Sequence, residues 1–201
     1  MDYFKDEIYW KKNIDKKLDE DLWIDNYKEF LSNQGLCLDL GCGIGQYTKK
    51  FMEYGYDAVS ADISNLVLEK VSAFNPKTKY LDMREPLPCA DSTFDVVFAG
   101  LSIHYFSEEK TKELINEIKR VLKKDGLFIG SVESTKAFER MRKDAKEIEP
   151  HFYFYHDQYR RLFDLDDVKK YLSDFDILKI DEKESIRFDL KKFFIVFVAK
   201  K

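Results

Sequence analysis

The chain of 201 residues is 44% hydrophobic and 15% aromatic, which is enough apolar content to bury the core of one domain. Its net charge of −4 comes from acidic and basic residues scattered along the whole chain. The sequence thus has no basic cluster of the kind that binds nucleic acids, and we expect no nucleic-acid partner. The three cysteines lack metal-ligand spacing, so we expect no metal site. Neither a secretory leader nor a run of roughly 20 apolar residues occurs, so we expect a cytoplasmic protein without a membrane segment. We further expect a monomer or a homodimer.

The first third of the chain begins with a charged segment and continues with alternating elements. Residues 1–33 intersperse charges with aromatic and leucine residues, which predicts an N-terminal cap of amphipathic helices. The segments that follow are predicted as strands at 36–40, 57–62 and 78–82, and as helices at 46–54 and 64–73. Alternation of short apolar runs with helical periods indicates an α/β domain with a mostly parallel sheet.

The remaining elements continue this alternation. A buried strand is predicted at 94–100, and Ser107 precedes three charged residues as the N-cap of a helix that extends to about 123. The Asp125-Gly126 pair predicts a turn into a strand at 127–133. The last segments are predicted as a helix at 165–173 and strands at 175–181 and 193–200.

Residues 134–163 interrupt the alternation and show no obvious regular structure. Long loops of this kind serve as lids or binding segments more often than as filler. The aromatic rings and arginine side chains of this segment would suit a planar or anionic small molecule. The substrate-binding candidates are Tyr153, Tyr155, Tyr159, Arg160 and Arg161. Alternatively, the segment is a solvent-exposed, partly packed loop without a binding role, and Arg160 or Arg161 simply pairs with Asp157 or Asp164.

The stretch LDLGCGIGQYT at 38–48 places three glycines between a strand and a helix, where free backbone N–H groups and a helix N-terminus can face a ligand. The dinucleotide fingerprint needs its third glycine three positions after the second, but Gly45 follows Gly43 by two, which argues against a pyrophosphate. Asp39 would oppose a phosphate and favour a cationic group. Tight packing alone is the alternative explanation of the glycines.

The motif LDLGCGIG resembles the acidic-x-Gly-x-Gly-x-Gly signature of class I S-adenosylmethionine-dependent methyltransferases, and the similarity covers roughly residues 36–133. The resemblance implies a Rossmann-like, doubly wound α/β fold with a mostly parallel seven-stranded sheet whose last strand is antiparallel. It also implies one domain, divided into an N-terminal helical cap at 1–33, a cofactor-binding core at 34–133, an insertion or lid at 134–163 and a C-terminal helix with strands at 164–201.

The resemblance also assigns residues to the cofactor, S-adenosyl-L-methionine. Asp62 takes the position of the acid that binds the ribose hydroxyls, and Asp82 that of the residue that meets the adenine amine. The full set of cofactor-binding candidates is Trp10, Asp39, Gly41, Cys42, Gly43, Gly45, Tyr47, Asp62, Ile63, Asp82, Met83, Gly100 and Leu101.

The sequence GLSIHY at 100–105 stands where many DNA and protein amino-methylases carry Asn-Pro-Pro-Tyr, which favours a small-molecule acceptor. His104 and Tyr105 are the catalytic candidates if the acceptor must lose a proton, and His104 is a substrate-binding candidate as well. A soft or anionic acceptor would need no base. A non-catalytic S-adenosylmethionine-binding protein and a nicotinamide-dependent reductase are the alternatives.

Overall fold

The computed structural model describes residues 6–15, 22–32, 34–141, 143–187 and 190–201. The parts of the predicted N-terminal cap at 1–5, 16–21 and 33 lie outside the described residues. Among the helices that the structure describes, none has both the length and the apolar character needed to cross a membrane.

A seven-stranded sheet organises the fold, with the strands in the order β3-β2-β1-β4-β5-β10-β9. Its strands are β1 (Gly35–Leu40), β2 (Tyr56–Asp62), β3 (Thr78–Tyr80), β4 (Phe94–Gly100), β5 (Leu122–Glu133), β9 (Asp176–Arg187) and β10 (Leu190–Lys200). The pairs among β1 to β5 are parallel, whereas β10 runs antiparallel to both β5 and β9. The predicted sheet with an antiparallel last strand is therefore confirmed.

Helices lie on both faces of this sheet. They are α1 (Asp6–Asn13), α2 (Gln46–Glu53), α3 (Asn65–Ser72), α4 (Glu108–Val121), α5 (Phe138–Met141) and α6 (Leu165–Tyr171), and 3-10 helices occur at Trp23–Phe30 and Thr135–Ala137. The predicted cap of α4 is confirmed, because the Ser107 hydroxyl accepts a hydrogen bond from the backbone N–H of Lys110.

Two apolar layers follow from the alternation of side chains along the strands. Phe128 and Val132 of β5 contribute to the core shared with α4 and α6, whereas Leu127 and Ile129 face the 3-10 helix at 23–30 and α2. A doubly wound arrangement results, and the polar ends of the strands are left at the carboxyl edge of the sheet.

Several element boundaries differ from the predictions. The α4 helix ends at Val121, and β5 already begins at Leu122, with Asp125-Gly126 inside a strand irregularity instead of at its start. Asp125 has a φ of 61°, the left-handed conformation that a DG pair tolerates. Part of the N-terminal cap is a 3-10 helix at Trp23–Phe30.

The insertion at 134–163 has regular structure, so the prediction of none is wrong. Strands β6 (Lys146–Glu149), β7 (Phe152–Tyr155) and β8 (Gln158–Arg161) form a separate antiparallel sheet, which we call the small sheet. It is fixed to the main domain by backbone hydrogen bonds from Arg161 N to His104 O and from Phe163 N to Glu133 O, at 2.8 and 2.9 Å. The small sheet therefore forms a wall beside the carboxyl ends of β4 and β5.

Candidate functional site

The candidate site lies at the carboxyl edge of the parallel strands, where α/β folds bind their ligands. The glycine loop, defined as residues 41–45, follows β1, and further loops follow β2, β3 and β4. The small sheet borders the same edge through its contact with His104. The segments that carry the predicted site residues therefore converge from separate parts of the chain.

Most backbone donors of the glycine loop have partners within the protein. The N–H groups of Gly41 and Cys42 both donate to Ala61 O, and that of Gly45 donates to Cys42 O. The Gly43 N–H donates to the Asp62 carboxylate at 2.9 Å. The expectation of free N–H groups is thus wrong for these four residues, and a loop of this kind does not provide the backbone cradle that a pyrophosphate requires.

Each glycine of the motif allows a close approach by another part of the protein. A Cβ atom on Gly41 would lie 2.4 Å from Ser102 Cβ, and one on Gly45 would lie 2.6 Å from the Phe74 ring. At Gly43, a Cβ would meet the Trp10 indole of α1 at 2.7 Å, and its φ of 50° is unfavourable for other residues. Packing accounts for Gly41 and Gly45, while Gly43 faces the aromatic ring that closes over the loop.

Two buried carboxylates flank the glycine loop. Asp39 is 1% exposed and accepts a hydrogen bond from the Thr48 hydroxyl at 2.6 Å, and Asp62 accepts from the backbone N–H groups of Gly43 and Ser64. Burial, opposed by the hydrogen bonds from Thr48 and reinforced by the nearby Asp62 charge, raises the pKa of Asp39 to about 7. A cationic group near this pair would favour the ionised form of Asp39.

The segment after β3 contains Asp82 beside Arg84. The guanidinium of Arg84 donates to both Asp82 carboxylate oxygens, at 2.6 to 2.9 Å. Burial alone would raise the pKa of Asp82, but the hydrogen bonds from Arg84 lower it below its usual value. Met83 reaches the glycine loop, since its methyl group would lie 3.4 Å from a Cβ on Gly41.

Other predicted cofactor residues line the neighbouring loops. Cys42 is buried, and burial together with Asp39 and Asp62 raises the pKa of its thiol, so the group is a neutral thiol. Ile63 is half-buried directly after β2. The Tyr47 ring lies near Gly100, 3.2 Å from where its Cβ would be, and Leu101 adopts a φ of 54°. Such strain in a non-glycine residue is typical of functional loops.

His104 and Tyr105 lie in the loop after β4, with their rings 4.4 Å apart. His104 is 2% exposed, and its Nε2 atom lies 3.1 Å from Nη1 of Arg160 in the small sheet. The Arg160 guanidinium also lies 5.1 Å from the centre of the Tyr105 ring. The structure therefore brings three of the predicted catalytic and substrate residues together.

The other substrate candidates divide between the two faces of the small sheet. Tyr153 pairs with Arg160 across the sheet, and the Tyr153 ring packs 5.0 Å from Phe138 in a small apolar cluster. The Tyr155 ring stacks on His156 at 4.0 Å. Tyr159 and Arg161 contact Phe152 and face away from Arg160, because neighbouring strand residues alternate.

Arg161 holds the small sheet in place. Its Nε donates to Phe106 O at 3.0 Å, and its guanidinium pairs with Glu149. Glu149 also accepts from the backbone N–H of Glu108 at the start of α4. With a side chain 4% exposed, Arg161 has the contacts of a structural residue.

Three polar residues near His104 were not predicted. Ser131 and Glu133 end β5 and are 1% and 8% exposed, and Glu133 lies 3.5 Å from the Arg160 guanidinium. Lys192 of β10 is close enough to influence the pKa of His104. A change from apolar to polar residues along one face of the strand, from Leu127 and Ile129 to Ser131 and Glu133, was the signal in the sequence.

His151, Asp164 and Asp167 also lie together, with ligand atoms within 4.8 Å of one another. Asp164 and Asp167 form the capping box of α6, and His151 Nδ1 lies 2.7 Å from an Asp167 oxygen. These contacts account for the cluster as the N-terminal cap of a short helix.

Part of the chain resembles a known protein family. Residues 38–130 match the profile of the methyltransferase domain family. An uncharacterized methyltransferase of Bacillus subtilis, YcgJ, is 30% identical over 98 residues, which is 46% of this chain and 38% of that protein. The chain spans less than half the length of the curated relatives that it matches.

Solved structures share the fold over most of the chain. A SAM-dependent methyltransferase from Methanosarcina mazei superposes with a TM-score of 0.78 at 19% identity, over 90% of this chain and 98% of that one. The 1,6-didemethyltoxoflavin-N1-methyltransferase of Burkholderia thailandensis, solved with bound 1,6-didemethyltoxoflavin and S-adenosylhomocysteine, has a TM-score of 0.69 at 18% identity. The match covers 88% of this chain and 75% of that chain. At these identities the likeness establishes the Rossmann-like fold.

Proposed function

We propose that this chain is an S-adenosylmethionine-dependent methyltransferase that acts on a small molecule, because residues 38–130 match the profile of the methyltransferase domain family. The observation that carries the proposal is the glycine loop, with most of its backbone donors bonded within the protein and two buried carboxylates beside it. This negative environment suits an ammonium or sulfonium group and opposes a pyrophosphate. It therefore favours S-adenosylmethionine over a nicotinamide dinucleotide.

The residues present fit such a ligand. A Cβ atom on Gly43 would collide with Trp10. A ligand can therefore contact the loop at this position only because residue 43 has no side chain, and the Trp10 ring would cover that ligand. We assign Asp62 to the ribose hydroxyls, Asp39 to the charge of the methionyl part, and Asp82 with Met83 to the adenine side. Trp10, Cys42, Tyr47, Ile63, Gly100 and Leu101 complete the proposed lining.

The protein's part in the reaction is to position the acceptor. Bound S-adenosylmethionine supplies a methyl group that is already activated on sulfur. The chain must align the acceptor atom with the methyl group and exclude water. The buried loop after β4 and the fixed small sheet serve both purposes, with Arg160, Tyr105 and His104 on the acceptor side.

A labelled methyl-transfer assay tests the activity. The protein is incubated with methyl-labelled S-adenosylmethionine and fractions of small metabolites, and the products are separated from the unused label. Label incorporation into a small molecule supports the proposal. Tight binding of S-adenosylmethionine without incorporation in any fraction would favour the alternative of a non-catalytic binding protein.

A further inference from the structure

His104 is enclosed between the loop after β4 and the small sheet. Its backbone carbonyl accepts a hydrogen bond from Arg161 N at 2.8 Å, and its side chain is 2% exposed. The ring contacts Tyr105 on one side, and its Nε2 atom lies 3.1 Å from Arg160 Nη1. The imidazole is therefore held from both its backbone and its ring.

The partner of Nε2 determines the tautomer of His104. A guanidinium can only donate hydrogen bonds, so Nε2 must accept from Arg160 and cannot carry a proton. Burial lowers the pKa of His104 well below its usual value, and the charges of Arg160 and Lys192 lower it further. The ring is consequently neutral, with its single N–H at Nδ1.

That Nδ1–H group has no hydrogen-bond partner among the described residues, although the atom is buried. The Ser131 hydroxyl is likewise buried without a partner in the described part of the chain. Buried polar groups in native proteins are almost always bonded, and unsatisfied donors frequently mark a place that a ligand or a water completes.

The topology places these two groups on one side of the site. Ser131 pairs with Gly100 at the end of β4, four residues before His104. Glu133 lies on the same face of β5 as Ser131, and the Arg160 guanidinium contacts both Glu133 and His104. These contacts connect the two unsatisfied groups to one acceptor-side region, in which Arg160 and Lys192 carry positive charge and Glu133 carries negative charge.

We propose that His104 and Ser131 donate hydrogen bonds to a carbonyl or carboxylate oxygen of the methyl acceptor. Arg160 is the positioning residue that keeps His104 in its donor form. The inference rests on the proposed methyl transfer and narrows its substrate class to small oxygen-bearing compounds, neutral or anionic. A protonated amine does not fit, because it has no lone pair to accept the hydrogen bonds that His104 and Ser131 would donate.

Nitrogen NMR of histidine-labelled protein tests the role of Arg160 without any acceptor. The chain has three histidines, and a His104→Asn variant identifies the signal of residue 104. We expect His104 to carry its proton on Nδ1 and to remain neutral at pH values at which an ordinary histidine, with a pKa near 6.5, becomes charged. A proton on Nε2, or ordinary titration near pH 6.5, would overturn the proposal.

Two arginine variants separate a specific effect of Arg160 from a general loss of charge. Arg160→Met should let His104 titrate at a higher pH and populate both tautomers, whereas Arg84→Met should leave the His104 signals unchanged, since Arg84 contacts Asp82. Equal effects of the two variants would contradict the assignment. If Arg160→Met fails to fold, the wild-type spectrum still determines the tautomer.

The substrate class is tested with three aromatic probes in the presence of saturating S-adenosylhomocysteine. Benzoate and benzamide should shift the His104 Nδ1 proton signal, and benzylamine should not. Ser131→Ala should weaken this response to benzoate about tenfold. Variants of His104 lack the Nδ1 proton, so their benzoate binding is measured by calorimetry in the presence of S-adenosylhomocysteine. His104→Gln should bind benzoate about tenfold more weakly than the wild type, while His104→Asn, whose amide lies near the position of Nδ1, should retain benzoate binding. A stronger response to benzylamine, or none to the oxygen ligands, would overturn the substrate class.

Failure of this inference can be distinguished from failure of the proposed function. Binding of S-adenosylhomocysteine is measured separately by calorimetry. If it binds normally but His104 is not the Nδ1–H tautomer, only the present inference falls. If it does not bind, the proposed function falls, while the tautomer measurement still reports on the Arg160 and His104 pair.

Discussion

Burial raises the pKa of the Asp39 carboxyl group to about 7, so this group titrates far above the range of an ordinary aspartate. The residue lies under the glycine loop and cannot relax its charge into solvent, since it is 1% exposed. Any cation that binds beside it must favour the ionised form and release a proton. Asp39 therefore links ligand binding to pH.

We predict that S-adenosylhomocysteine, through its ammonium group, binds about tenfold more tightly at pH 7 than at pH 5. The sign follows because protonated Asp39 must ionise when the cation binds, which becomes easier as the pH rises towards 7. In Asp39→Asn the affinity should be nearly constant over this range. Calorimetry at four pH values measures it, and a wild-type affinity that is flat or falls with pH would contradict the role of Asp39.

Asp62 combines two functions in the proposal, because it holds the Gly43 and Ser64 backbone and would also bind the ribose. We predict that Asp62→Ala weakens S-adenosylmethionine binding by roughly tenfold to a thousandfold, since charge-assisted hydrogen bonds contribute about 1.5 to 3 kcal/mol each and water compensates in part. The measurement is calorimetric titration of the folded variant.

Asp95 supplies a matched control for Asp62. It accepts a hydrogen bond from Leu36 N at 2.7 Å, at the amino end of β1, away from the glycine loop. Asp95→Asn should therefore leave the affinity for S-adenosylmethionine unchanged. If Asp62→Ala bound as tightly as Asp95→Asn, Asp62 would have no part in the site.

At the scale of elements, the small sheet was the feature that the sequence concealed. Tyr155 and Gln158 flank a two-residue turn in which His156 and Asp157 have φ values of 47° and 60°. Hairpin turns of this kind usually carry Asn-Gly or Asp-Gly, so His-Asp gave no recognisable turn signal. The aromatic run before it, FYFY, lacks the alternation of polar and apolar residues that predicts a half-buried strand.

The predictions succeeded where local signals agreed. The apolar runs of β4, at 96–99, and of β10, at 195–199, are buried on both faces and read as continuous hydrophobic stretches. Ser107 was identifiable as a cap because charged residues follow it in the first turn. The partners of Gly41 and Gly45 could not be predicted, because Ser102 and Phe74 are distant in sequence.

The attachment of the small sheet can be tested through Arg161. We predict that Arg161→Met lowers the free energy of unfolding by about 3 kcal/mol, because it leaves Glu149 and the Phe106 carbonyl without their buried partner. Urea unfolding measures the change, and Arg161→Met combined with Glu149→Gln should recover part of it. A loss below about 0.5 kcal/mol, typical of surface substitutions, would show that the pair does not hold the sheet.

At the scale of the whole molecule, the sheet brings residues from distant parts of the chain to one edge. Trp10 in α1, the glycine loop after β1, His104 after β4 and Arg160 in the small sheet meet there, although 150 positions separate the first from the last. The cofactor half of this edge could be predicted because its residues follow strands in a short motif. The acceptor half depends on the insertion, whose fold the sequence did not reveal.

The central claim is that this edge binds S-adenosylmethionine, and calorimetric titration of the wild-type protein tests it most directly. S-adenosylmethionine and S-adenosylhomocysteine should each bind at one site per chain, and Gly43→Val should abolish binding while remaining folded by circular dichroism. NADH and NADPH should give no binding heat, because the loop offers a negative environment to their phosphates. Binding of either dinucleotide in preference to S-adenosylmethionine, or unchanged binding by Gly43→Val, would contradict the account.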